Sequence, residues 1–147
     1  MFTITEDAID TRALQLELEH PSVGAVVSFE GRVRDHNAGQ AVQALEYELF
    51  PELCLSEGEL ILQEALAKFP IRAARARHRY GLLNLEDIAV SIVVSAGHRG
   101  AAFAACQYII DEIKVRLPIW KREHYQDGEQ RWIDCPGCRE AQHRVGP

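Results

Sequence analysis

Residues 88–96, Ile-Ala-Val-Ser-Ile-Val-Val-Ser-Ala, pass through Gly97-His98-Arg99-Gly100 into a helical pattern that stops at Leu117-Pro118, and this stretch decides the fold. Apolar or small side chains occupy both phases of the first nine residues, which suits a strand buried on both faces. Beyond it, Phe103, Cys106, Ile110, Ile113 and Leu117 recur at helical spacing on one stripe, and Pro118 ends the run. A strand that must be covered on two sides, with a helix directly after it, requires a layered domain with a substantial core.

Working toward the N-terminus, residues 71–80 read as a second strand, joined to the first through Gly81 and Asn84-Leu85-Glu86-Asp87. Residues 52–69 carry Leu53, Leu60, Ile61, Ala65 and Leu66 at helical spacing, with Phe69-Pro70 as the stop. Residues 42–49 alternate in the period-two pattern of a half-buried strand. Residues 23–33 are β-branched and run into the turn-forming Asp35-His36-Asn37-Ala38-Gly39, so the two strands are expected to pair as a hairpin. A short helix over 8–19, ended by His20-Pro21, and a strand over 2–5 complete that side. Past Pro118 come a strand, an Asp127-Gly128 turn and a strand holding Trp132.

This order predicts an α+β domain, mostly antiparallel, with two long helices and a smaller β subdomain in an α/β-hammerhead-like arrangement. A chain of 147 residues suits one domain, over residues 1–134, with a tail over 135–147.

Composition sets outer limits. The chain is 47% apolar and 26% charged, an ordinary globular mixture, and no apolar run is long enough to span a bilayer. Its start is acidic and lacks a basic leader segment, so a cytoplasmic protein is expected. A net charge of −6 argues against nucleic-acid or anionic-membrane partners. The charge is uneven: residues 1–71 hold four basic and thirteen acidic residues, residues 72–147 twelve and nine. The second half can therefore present an anion-binding surface.

Four segments carry polar residues that packing does not explain. Gly31-Arg32-Val33-Arg34-Asp35-His36-Asn37 delivers Arg34, a bidentate phosphate donor or a solvated hairpin charge, into a turn. Ser95-Ala96-Gly97-His98-Arg99-Gly100 sets His98 and Arg99 at a helix N-terminus, which suits an anion or is merely a surface end. Residues 114–123, KVRLPIWKRE, crowd four cations beside a helix stop. Crowding disfavours the ammonium form, making Lys114 and Lys121 candidate amines for nucleophilic or proton-transfer work; the alternative is a basic helix end. Cys135-Pro136-Gly137-Cys138 with His143 begins like a zinc knuckle or redox pair, with His124 as the missing ligand, but free thiols are the default expectation. Arg72, Arg75, Arg77 and Arg79 read as a basic strand edge, and Cys54 and Cys106 as buried small hydrophobes. Phosphate-loop, Rossmann, hydrolase-elbow and zincin motifs are absent.

The segments GRVRDHN, SAGHRGAAFAACQYIIDEIK and LPIWKRE, in this order, resemble the large catalytic subunit of molybdopterin synthase over residues 22–133. The resemblance implies an enzyme that installs a dithiolene on cyclic pyranopterin monophosphate. It needs no metal or cofactor for that step. Sulfur is implied to arrive as a thiocarboxylate on the C-terminal glycine of a small ubiquitin-like partner, in a heterotetramer built around a homodimer. Lys114 and Lys121 match the active-site lysines, while Arg34, His98 and Arg99 match substrate-binding residues, Arg99 from a neighbouring subunit. Glu123 is placed with them as an orienting or binding group. The competing reading is a non-catalytic scaffold for a ubiquitin-like protein or an anionic ligand.

Overall fold

The computed structural model describes residues 1–133 as two sheets and three helices. In chain order these are β1 (Phe2–Thr5), α1 (Thr11–Glu17), β2 (Ala25–Arg32), β3 (His36–Asn37), β4 (Gln40–Leu49) and α2 (Pro51–Lys68). They continue with β5 (Ile71–Arg79), β6 (Gly81–Asn84), β7 (Ile88–Ala96), α3 (Arg99–Arg116), β8 (Ile119–Tyr125) and β9 (Gln130–Ile133). The first sheet has the order β1-β5-β7-β2, with only the β1–β5 pair parallel. The second runs β3-β4-β8-β9, with β6 also on β4. The architecture is α+β and mostly antiparallel.

β7 lies between β5 and β2, and eight of its nine residues are buried, which explains its lack of alternation. One face meets α2 and α3 in a core that includes Ile61, Leu62, Ile92, Val94, Ile109 and Ile113; the other presents Val93 to Leu14 and Leu18 of α1. The helix ends obey local chemistry. Asp10 accepts from the Ala13 N–H at 3.2 Å to cap α1, Pro51 opens α2 where a missing N–H is harmless, and Pro118 prevents α3 from continuing. Gly58 of α2 lies against Phe2, so a side chain there would overlap the ring.

Several expectations change. The strand over 23–33 does not form a hairpin with 42–49: β2 pairs with β7 across the first sheet, and β4 belongs to the second. The hairpin partner of β4 is the two-residue β3, because the tight turn at Ala38–Gly39 begins six residues past the end of β2 and closes a new short strand. Residues 81–84, read as a connection, form β6. Phe103 is 62% exposed rather than on the buried stripe. The other four stripe residues, Cys106, Ile110, Ile113 and Leu117, are buried as expected, and Ala102, Ala105 and Ile109 join them, because small residues let the helix approach the sheet closely. Leu60 and Leu66 of α2 are likewise exposed. Arg77 and Arg79 of β5 do not lie on a sheet edge, since β1 pairs with β5 over Ala76–Arg79, whereas Arg72 and Arg75 lie where β7 alone flanks the strand. Arg75 pairs with Glu17, Arg77 donates to Thr3 and Arg79 pairs with Asp87.

The expected burial of the two helical thiols is observed. Burial pushes Cys54 up to about 12 and Cys106 up to about 11. Cys135, Cys138 and His143 lie outside the described residues, and among those described no cluster of His, Cys, Asp and Glu is arranged to hold a metal. No described helix is long and apolar enough to cross a membrane.

Candidate active site

A cleft of about 650 Å³ opens where the C-terminal end of α3 meets the second sheet. Its polar lining includes Arg34, Asn37, Tyr47, His78, Lys114, Lys121 and Glu123, and its walls include Leu45, Val90, Ile113 and Leu117. Segments distant in sequence supply these groups, and the topology explains their meeting. Pro118 ends α3 and turns the chain directly into β8, so Lys114 in the last helical turn and Lys121 in the first residues of the strand face the same space. Along β8, Lys121, Glu123 and Tyr125 share one face. Arg122 and His124 share the other, where Arg122 pairs with Glu46 and His124 Nε2 lies 3.5 Å from the same carboxylate.

The cross-strand register sets Tyr47 opposite Lys121 and Leu45 opposite Glu123. Arg34 lies just past β2, and its guanidinium donates to Asn37 Oδ1 at 3.2 Å. Asn37 in turn donates to Glu123 Oε1 at 2.5 Å. Glu123 is 1% exposed, and its Oε2 makes no hydrogen bond of good geometry among the described residues.

This arrangement controls charge. Burial is the largest influence on Lys121 and lowers its pKa; the Glu123 carboxylate opposes the shift, while Lys114 and Arg34 reinforce it. The net result favours the neutral amine more than an exposed lysine would. Burial pushes the Tyr47 phenol up to about 12, with Glu123 adding to the rise. It also pushes His78 down to about 4, against the hydrogen bond between His78 Nδ1 and the Arg79 carbonyl at 2.8 Å. With Nδ1–H donating there, the ring is neutral and stands edge-on to Tyr47, 5.2 Å between centroids. The cleft therefore has a cationic side and a neutral aromatic side.

Of the candidate residues, Arg34, Lys114, Lys121 and Glu123 line this one cleft. His98 and Arg99 do not. They are exposed at the opposite end of α3, roughly 20–25 Å along the helix axis from Lys114 at 1.5 Å per residue. Three lining residues escaped the sequence reading: Asn37, Tyr47 and His78. His78 was legible in principle, because it occupies the inward phase set by Ala74 and Ala76 in an otherwise arginine-rich strand.

Two amines from different elements, one held toward neutrality, converge beside a guanidinium in a concave site, and that combination marks the cleft as the candidate active site of this α+β scaffold. The family model described as MoaE protein matches residues 4–116, a stretch that includes Arg34, His98, Arg99 and Lys114 and ends before Lys121. A molybdopterin synthase catalytic subunit of Pyrococcus abyssi is 47% identical over 113 residues, 77% of this chain and 76% of that protein. Its counterpart of the same name in Thermoplasma volcanium is 43% identical over 129 residues, 88% of this chain and 94% of that one. The crystal structure of molybdopterin synthase from Staphylococcus aureus superposes with a TM-score of 0.85 at 35% identity, covering 89% of this chain and 95% of that one. The chain belongs to the MoaE family.

Proposed function

We propose that this chain transfers sulfur from the thiocarboxylated C-terminal glycine of a small ubiquitin-like partner to cyclic pyranopterin monophosphate, forming the molybdopterin dithiolene. The observation that carries this reading is the convergence of Lys114, Lys121 and Arg34 in one cleft, with the Lys121 amine biased toward its neutral form. Family membership supplies the reaction class.

In this reading the thiocarboxylate sulfur bonds to a side-chain carbon of the pterin and displaces oxygen there, leaving the partner's acyl carbon joined to substrate as a thioester. The oxygen displaced is the ester oxygen of the cyclic phosphate, which opens, at one carbon and the carbonyl oxygen, lost as water, at the other. Water then attacks that carbon. The carbon–sulfur bond to the partner breaks, sulfur stays on the pterin, and the partner departs as a carboxylate. Neutral Lys121 is suited to take the proton from the attacking water, and an ammonium at Lys114 to stabilise the oxyanion that develops. Arg34 grips the phosphate. Each transfer consumes one thiocarboxylate, so two partner chains serve each dithiolene. His98 and Arg99, being exposed and remote from their own cleft, are assigned to the cleft of a second copy, consistent with a homodimer inside a heterotetramer.

The test is reconstitution of the purified chain with a thiocarboxylated partner and cyclic pyranopterin monophosphate. Dithiolene product is expected, and none with the same partner ending in an ordinary carboxylate. Absence of product with an intact thiocarboxylate overturns the proposal and favours a binding scaffold.

A further inference from the structure

Asn37 lies at the start of the turn Asn37-Ala38-Gly39-Gln40, in which Ala38 and Gly39 have φ of 49° and 80°. Positive φ at both central positions is the geometry of a tight hairpin whose twist matches its strands. That turn fixes the direction of the Asn37 side chain toward β8. The side chain then uses both halves of its amide, each in the sense its chemistry allows: the carbonyl accepts from the Arg34 guanidinium at 3.2 Å, and the NH2 donates to the Glu123 carboxylate at 2.5 Å. An aspartate could not donate to the carboxylate when ionised, and a serine could not span the gap.

What this hold prevents is visible on β8. Glu123 is buried, two residues from Lys121 on the same face, and forms no ion pair among the described residues. Its Oε2 makes no hydrogen bond of good geometry among them, although the Tyr125 phenol, raised by burial and then by this carboxylate, interacts with it. A buried carboxylate with an open oxygen, so near an amine, would ordinarily close an ion pair with it. The other titratable groups around it are Tyr125 on β8, Tyr47 on β4, His78 on β5, Lys114 on α3, Arg34 beyond β2 and, at the cleft lining, Arg32 of β2, which pairs with Glu30 at 2.9 Å. Asp35 and His36 pair with each other at 2.8 Å in the solvent-exposed turn.

We propose that Asn37 is a positioning residue, whose amide holds the Glu123 carboxylate short of pairing with Lys121 and aims the Arg34 guanidinium at the substrate's anionic group. The inference rests on the reading of this cleft as the sulfur-transfer site. It makes the turn an active part of the site: the pairing of β3 with β4 brings an acceptor to the arginine and a donor to the glutamate at once.

Two substitutions and one measurement on the unaltered protein test it. In Asn37→Ala the freed carboxylate pairs with Lys121, so kcat/KM falls roughly 10- to 100-fold and the acidic limb of the kcat profile moves to higher pH. Affinity for inorganic phosphate falls as well. In Asn37→Asp, two carboxylates this close cannot both ionise, so the variant's rate relative to the unaltered protein is highest at low pH and declines as pH rises. Both variants retaining the original pH profile and phosphate affinity, whatever their absolute rates, overturns the proposal. Should Asn37→Ala fail to fold, nitrogen-15 NMR of the unaltered full chain reads the same hold. The Asn37 side-chain NH2 is expected to exchange slowly and to shift when inorganic phosphate is added. A freely exchanging NH2 unmoved by phosphate overturns the proposal. Failure of the unaltered protein to make dithiolene would instead sink the sulfur-transfer reading, and the NMR result stands apart from that outcome.

Discussion

Both ends of α3 carry basic side chains, and the two sets have opposite fates. At the N-terminal end His98 and Arg99 are exposed, beside an exposed Phe103. At the C-terminal end Lys114 faces a cleft, and Arg116, one helical side round, is clamped by Glu57, Glu64 and Glu112. The difference comes from the chain segment adjoining each end. The N-terminal end is approached by the turn of Gly97 and meets open space, whereas the C-terminal end is folded by Pro118 straight onto β8, which brings a second lysine and a buried glutamate. A basic helix end faces a cleft here only where another element closes over it.

The sharpest way to break this comparison is to remove an amine. Lys121→Ala should lower turnover by about 10³-fold, in line with loss of a general base, while the folded state and partner binding persist. Lys114→Ala should fall similarly in rate. Single-turnover assays beside a partner-binding titration check both, and parallel loss of binding and rate would make the lysines structural. Because burial, Lys114 and Arg34 together lower Lys121, the rate of the unaltered enzyme should rise with pH along a limb lying below the ordinary lysine value of 10.5.

The exposed end offers a complementary test. If His98 and Arg99 serve the cleft of a second copy, Arg99→Ala and Lys121→Ala chains are each inactive alone but together regain activity. Random pairing gives about a quarter of the unaltered activity, since half the dimers are mixed and each mixed dimer has one intact site. No recovery after unfolding and refolding the mixture would confine Arg99 to some other role.

How much of this was legible beforehand depends on the kind of signal each residue carries. β7, α2 and α3 were readable because burial on both faces, helical spacing and proline stops are local patterns. The pairing of β2 with β7 was not, because a strand's partner depends on which edge the whole sheet leaves open, and the two strands are some sixty residues apart in the register. In the site, Lys114 and Lys121 stood out through crowding of charge. Asn37 did not, since its importance comes from hydrogen bonds that no spacing encodes, the one to Glu123 spanning most of the chain. His78 and Tyr47 differ from core residues only by facing a cavity.

The neutral side of the cleft gives a prediction of intermediate size. With His78 held near 4 in the folded chain and titrating near 6.5 when unfolded, the group is silent above pH 6.5. Between those values the unfolded chain binds a proton that the folded chain refuses. Stability therefore falls as pH drops from about 6.5 to about 4, by up to about 3 kcal/mol from this residue. Urea titrations across that range should show the loss, and His78→Gln should flatten it. An unchanged slope in the variant would mean that other groups dominate the acid limb.

The smallest effect is expected far from the cleft, and it tests whether the two regions are separable. Gly58 sits in the middle of α2, where alanine would favour the helix by up to about 1 kcal/mol. A methyl group there overlaps the Phe2 ring, however, and β1 is held to β5 by a four-residue parallel pairing that cannot shift freely. Overpacking of that kind costs about 1–3 kcal/mol, so Gly58→Ala should lower stability by about 1 kcal/mol net. Neither Phe2 nor Gly58 lines the cleft, so kcat/KM should stay within about twofold, since a substitution this remote adds to site effects independently. A large loss of activity at unchanged stability would show that β1 and α2 set the position of α3, tying the apolar core to the lysine end of the helix.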